Sequence, residues 1–219
     1  PVGTFERYFE KVASYYASAF ITRLETRRIL ERYRDEDAAT VEEAVRTAGI
    51  GQIQKTFKAL ARERVPLKDL TGILETILDP SVNAMGENHI VDAIRERLSE
   101  SICQCAADAN GKLHVMYAGT KMEKRILREP VWNSNVLQIE RKMRPILDCL
   151  NNALTLFARE GRLPVIVANS ADARRRLFNA MKLVFRQNSM RYEIPSILTA
   201  SEVGGATVDI VSFGTLSRV

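Results

Sequence analysis

Apolar residues keep a helical period through the first hundred positions and abandon it near residue 108. Upstream they recur at steps of three and four, which marks one buried face on each of several helices. Downstream, short alternating and continuous apolar runs take turns with helical stripes, which marks strands interleaved with helices. One architecture satisfies both halves. It is an α+β chain, mostly helical, with an N-terminal helical bundle over residues 1–107. A small α/β subdomain over residues 108–219 follows, built on a three- to four-stranded sheet.

Within the first part, Phe5, Phe9, Val12, Tyr16 and Phe20 trace one helical face. Thr22-Arg-Leu-Glu25 has the form of a capping box, and Thr40-Val-Glu-Glu43 repeats it, so each predicts a helix start. Gly49 and Gly51 punctuate, and Ile50, Ile53, Phe57 and Leu60 form the next stripe. Pro66 predicts a helix beginning there and carrying Leu67, Leu70, Ile73, Leu74 and Ile77, ended by Asp79-Pro80. Ile90, Ile94, Leu98, Ile102 and Cys105 predict one long helix reaching about residue 107.

In the second part, Leu113, Val115 and Tyr117 alternate with His114 and Met116, which predicts a short strand. A helix over 120–128 follows, then a long one from Val136 to Phe157 that Pro145 should kink or split. Pro164-Val-Ile-Val-Ala168 reads as a strand covered on both faces. Ser170 can cap the helix of Leu177, Met181, Val184 and Phe185. Ile194 to Leu198 is a strand whose Pro195 argues for a sheet edge or a later start. Gly204-Gly205 predicts a β-turn, and Val208 to Phe213 the last strand.

Charge divides the same way. Residues 1–100 hold 15 Lys+Arg against 17 Asp+Glu, while residues 101–219 hold 17 against 10. The net +5 therefore belongs to the α/β half, which suits a solvated surface or else a nucleic acid, an acidic membrane surface or an acidic protein partner. The longest run free of Asp, Glu, Lys and Arg is Val12 to Thr22, 11 residues, whereas a spanning helix needs about 20. With Glu6, Arg7, Glu10 and Lys11 among the apolar residues, the first twenty positions are not expected to act as a signal peptide. Three cysteines suit a reducing compartment with free thiols. Cys103 and Cys105 lie two apart on a helix and cannot share a metal, and His89 and His114 are the only histidines.

The residue patterns of covalent and phosphate chemistry are absent. There is no G-x-S-x-G, G-x-x-x-x-G-K-[ST], H-E-x-x-H or G-x-G-x-x-G. No enzymatic activity, cofactor or metal site is expected. Phe57 to Leu78 has the outline of a helix-turn-helix, which makes a DNA-binding regulator with a C-terminal effector domain the alternative reading. Lys68 is the only basic residue its second helix offers, beside Asp69, Glu75 and Asp79, so phosphates would be repelled. Arg174, Arg175 and Arg176 head the helix after Ser170, where basic residues oppose the helix dipole. Either they line a solvated face, with Asp172 and Glu160 as internal partners, or they grip an acidic partner.

Leu60-x-x-Glu63-x-Val65-x-Leu67-Lys68-Asp69-Leu70-x-x-Ile73-Leu74-Glu75 resembles the L-x-x-E-x-V-x-I-R-D-L-x-x-I-L-E segment of the FHIPEP family, the export-gate proteins of type III secretion systems. Leu67 stands for Ile and Lys68 for Arg. Ile94-Arg95, Leu98 and Ile102 are similar to the family's V-R-x-x-L-x-x-x-I helix. Pro164-Val-Ile-Val with Ala173-Arg174-Arg175 resembles its P-V-L-L…(I/V)-R-R stretch, and Ile197-Leu-Thr-Ala-Ser-Glu202-Val203 its V-L-S-Y-x-E-I, with Ala200 in place of the aromatic.

The resemblance implies a non-enzymatic cytoplasmic module of a bacterial inner-membrane export gate. It implies a homo-nonameric ring that receives export chaperones, substrates and other apparatus proteins, and no nucleic acid or small-molecule substrate. The chain would match the family's ring-packing helical subdomain and its C-terminal α/β subdomain. The opening at Pro1 without Met is expected of an excised or processed piece of a longer protein, and the stop soon after Phe213 leans toward an injectisome. Opposite charge on neighbouring subunits could set register in such a ring. Lys68, Asp69, Arg174, Arg175 and Arg176 are the candidate contact residues, although Asp69 in a first helical turn would also satisfy the helix dipole.

Overall fold

The computed structural model describes residues 16–128, 141, 144–146, 148, 164–187 and 195–216. It divides into two compact units, Pro1–Ile102 and Cys103–Val219. Phe5, Phe9, Val12, Cys149, Glu160 and most of the helix expected from Val136 to Phe157 lie outside the described residues.

The first unit is helical. Thr22 caps α1 (Arg23–Tyr33) by accepting from Glu25 N at 3.1 Å, as its spacing predicts. α2 (Ala38–Thr47) starts earlier than the Thr40 box implies. Asp37 is the cap, and Thr40 is the residue whose N–H it accepts, at 3.0 Å. A carboxylate three residues upstream takes this N–H, which leaves Thr40 inside the helix.

α3 (Gly49–Arg62) follows Gly49, whose φ of 75° turns the chain between the two helices. It buries Ile53, Thr56, Phe57 and Leu60. Its far end closes with Arg64 at φ 60°, Val65 N donating to Leu60 O at 2.9 Å and Arg64 N to Ala61 O at 3.1 Å. That is a Schellman cap with arginine in the left-handed position usually held by glycine. Buried Val65 and Leu60 supply the apolar contact that accompanies it.

This cap explains why the next helix does not begin at Pro66. The chain leaves α3 in a non-helical link, and α4 (Leu70–Leu78) starts only where Asp69 accepts from Gly72 N at 2.8 Å. Leu67, expected on its stripe, is therefore not helical. Asp79 ends α4 and caps the short α5 (Pro80–Asn83) through Ser81 N. The single helix expected up to residue 107 is two, α6 (Glu87–Arg97) and α7 (Ser99–Ala106), divided at Leu98, where φ and ψ are −90° and 12°.

α1 packs on α2 and α3, α4 on α2 and α6, and α5 on α4 and α6. Ile53, Phe57, Leu60, Ile73, Leu74, Ile77 and Ile94 are fully buried. Each such side chain contributes about 1.5–3 kcal/mol of burial.

The second unit is a four-stranded sheet, parallel throughout, among the described residues. Its strands are β1 (Lys112–Ala118), β2 (Val165–Ala168), β3 (Ile197–Thr199) and β4 (Asp209–Leu216), in the order β3-β2-β1-β4. α8 (Thr120–Arg128) follows β1, α9 (Ala171–Gln187) follows β2, and both β2 and β3 pack under α9. β2 is buried along its whole length, as its unbroken apolar run predicts. β3 is an edge that begins after Pro195.

β1 is the short strand that its alternation predicts, although burial does not follow the alternation strictly: Met116 is buried and Tyr117 is half-buried. β1 is central and parallel, so both its faces are covered. Its register against β4 also slips between Val115 and Tyr117, opposite Gly214 at φ 93°. Gly204-Gly205 lies in a turn, with Ala206 N donating to Val203 O at 3.4 Å, and this turn closes a short helix, α10 (Ala200–Gly204), that the sequence pattern did not announce. Thr199 and Glu202 start it with a complete capping box, Thr199 Oγ1 accepting from Glu202 N and Glu202 accepting from Thr199 N.

Candidate docking and assembly site

The arginine cluster is not a free basic patch. Ser170 caps α9 by accepting from Ala173 N at 3.2 Å, which aims the three arginines in different directions. Arg174 is 1% exposed. Arg175 pairs with Asp172 at 3.0 Å. Arg176 donates to Leu127 O at 3.0 Å and Ile126 O at 3.4 Å, the terminal carbonyls of α8, and also faces Asp172 at 3.7 Å. The dipole conflict is thereby resolved: Arg176 sits at the N-terminus of its own helix but neutralises the C-terminus of another.

Lys68 is exposed in the link before α4. Asp69, beside it, is committed to its cap. A Cβ at Gly72 would fall 2.5 Å from Asp69 Oδ2 and 2.8 Å from Arg97 Nε, so this glycine leaves room for the cap and the guanidinium together. The structure brings Lys68 and Asp69 into one link but gives them different employment. Arg174–Arg176 belong to the other unit.

Three polar pairs went unread in the sequence. Arg95, 2% exposed, meets Glu63 at 3.2 Å. Both residues stand in the quoted motifs, and a buried arginine requires a carboxylate, so the motif Glu63 was the available signal. Glu123, buried on α8, accepts from Asn169 N and, at 2.8 Å, from Asn169 Nδ2 at the end of β2. Asp108 Oδ2 meets His114 Nε2 at 2.8 Å, while its Oδ1 accepts from Asn110 N at 2.8 Å and Lys112 N at 3.0 Å. The His114 bond first, then the backbone donors, hold the Asp108 carboxyl down at about 2. An ionised carboxylate only accepts, so His114 carries its hydrogen on Nε2.

The helix-turn-helix reading loses its recognition helix. Seven residues separate α3 from α4, where such a motif uses a turn of about three or four. α4 contains no Lys or Arg, and six of its nine residues are buried. Cys103 is buried with its Sγ 3.7 Å from Glu202 O, whereas Cys105 is exposed, so the two thiols point apart as their spacing requires. Among the described residues no group of three His, Cys, Asp or Glu is placed to hold a metal ion, and no helix is long and apolar enough to cross a membrane.

A helical unit that holds a buried Glu63–Arg95 pair is thus followed in the chain by a small parallel sheet, and the comparisons define its class. The chain belongs to the FHIPEP family, whose match spans residues 4–196. It is 28% identical over 171 residues to the flagellar biosynthesis protein FlhA of Helicobacter pylori, covering 76% of this chain and 23% of that protein. To FlhA of Treponema pallidum it is 25% identical over 157 residues, 69% of this chain and 22% of that protein. The chain thus spans less than a quarter of the length of these relatives. In fold it is similar to nonameric SctV-C of EPEC, with a TM-score of 0.70 and 20% identity over 94% of this chain and 60% of that one. It is also similar to Chlamydia pneumoniae CdsV in a complex with CdsO, with a TM-score of 0.75 and 17% identity over 98% and 60%.

Proposed function

We propose that this chain is part of the cytoplasmic region of an export gate at the bacterial inner membrane. Copies of it assemble head to tail into a nonameric ring. The ring docks export chaperones, their substrates and other apparatus proteins, and performs no covalent chemistry. The observation that carries this reading is the likeness in fold, over 94% of the chain, to an SctV-C that is itself nonameric. The CdsV complex adds a relative whose fold engages a second apparatus protein, CdsO. The polar residues described above support a scaffold role, since Asp69, Glu123 and Arg176 each close a helix end or join two elements.

Of the five candidate contact residues, Lys68 is the one we assign to partner contact. Its charge is exposed, and its neighbour Asp69 is occupied by the cap. Reversing Arg174 would test folding instead, because that side chain is buried. Sedimentation velocity of the cytoplasmic region carrying this chain is the test. The wild type is expected to form a species of nine copies as concentration rises. Lys68→Glu should weaken self-association or chaperone binding about fivefold or more, in keeping with about 1 kcal/mol for an exposed charge contact. A species that remains monomeric at every concentration would sink the ring, and an unchanged Lys68→Glu would remove Lys68 from the contact.

A further inference from the structure

On the first unit a groove of about 570 Å3 opens between α1 and α2. Leu30, Val45 and Ile50 make an apolar floor, and Arg27 and Arg46 stand exposed on its rim. Arg34 and Glu42 pair with each other across the rim and cancel, and Glu31 leaves the rim one positive charge in excess. Neither Arg27 nor Arg46 has an ion-pair partner among the described residues. An apolar floor under spare guanidinium groups suits an apolar knob flanked by carboxylates.

The same unit carries such a knob. The turn between α5 and α6 projects Met85, which is 62% exposed, and Gly86 at φ 95° makes the reversal possible. Residues 80–86 are uncharged, and exposed Asp79 and Glu87 bracket them, so the turn presents one large apolar side chain between two carboxylates. Glu87 has no ion-pair partner among the described residues. Met is flexible and polarizable, which lets it fill an irregular apolar recess. α1 packs on α2 and α3 while α5 packs on α4 and α6, so groove and knob rest on different helices of one chain. Two unlike complementary patches on one molecule make a heterologous contact, the type that closes into rings.

We propose that the α5–α6 turn of one copy seats Met85 in the α1–α2 groove of the next copy, with Glu87 facing Arg27 and Arg46 and Asp79, which also caps α5, adding its charge to the turn. The occupant of the groove is thus a second copy of this chain, and the inference rests on the ring reading above. Net charge of −2 on the turn meets an excess of positive charge on the rim, which fixes both register and direction.

The test is a mixed crosslink on the full chain in a Cys105→Ser, Cys149→Ser background, with buried Cys103 retained. Met85→Cys chains are mixed with Arg46→Cys chains and oxidised, while sedimentation reports assembly in parallel. The mixed sample is expected to crosslink at least tenfold more than either variant alone. Met85→Asp should raise the concentration for half-assembly about tenfold or more, and Glu87→Arg should be rescued by Arg46→Glu on the neighbour. Assembly that persists without the mixed crosslink overturns this interface, gives the groove to another occupant and leaves the ring intact. A chain that stays monomeric at every concentration overturns both.

Discussion

Asp108 closes the turn that feeds β1, and it does so only while ionised. Its carboxyl is held at about 2, below the ordinary 3.8, by His114 first and then by the Lys112 and Asn110 N–H groups. A depressed carboxylate contributes stability in full above about pH 4 and loses it as pH falls toward 2. Wild type is therefore expected to be more stable to urea than Asp108→Asn at pH 7, with the gap closing between about pH 4 and pH 2. A gap that stays constant with pH would remove the carboxylate from the explanation. Arg95 poses the other residue-level test. Removing one partner of a buried pair strands the other, so Arg95→Met should cost about 3 kcal/mol in a denaturant melt. Adding Glu63→Leu should recover part of that loss, because the carboxylate that faced Arg95 is then removed as well. These pairs join residues 6 and 32 positions apart, so periodicity could not reveal them.

Individual helices and strands are legible wherever the sequence carries its own cap or an unbroken apolar run. α1 and α9 start at the caps their residues predict, and β2 and β3 lie where their apolar runs place them. The failures share a cause: a nearby competitor took the hydrogen bond. Asp37 displaced Thr40, the Schellman cap displaced Pro66, and Thr199 with Glu202 built a short helix ahead of the Gly204-Gly205 turn. The arginine cluster misled for a related reason, since the carbonyls that Arg176 meets lie about fifty residues away in the chain. The joint between β1 and β4 was equally invisible. Gly119 N donates to Leu216 O at 3.1 Å, and a Cβ on Gly119 would fall 2.5 Å from that oxygen. A backbone atom cannot swing aside as a side chain can. Gly119→Ala should therefore cost about 2 kcal/mol and loosen β4, read as faster amide exchange along Asp209–Leu216. Unchanged exchange there would show that the joint can shift at no cost.

Across the whole chain, the early division into a helical part and an α/β part led to the right family, because period and motif order survive where identity is only 28%. The FHIPEP match over residues 4–196 crosses the change of period near residue 108, so both parts belong to one ancestral unit. The basic charge of the second part first suggested an open cationic surface. Instead Arg174 is buried, Arg175 pairs with Asp172 on its own helix and Arg176 joins α9 to α8, while Lys68, the groove rim and the α5–α6 turn are exposed charges of the first unit. Electron microscopy of this chain, alone and within a longer protein that carries it, tests the assembly. Closed rings with nine-fold class averages are the result this account predicts. Particles that remain single copies at every concentration, or that close with another symmetry, would contradict it.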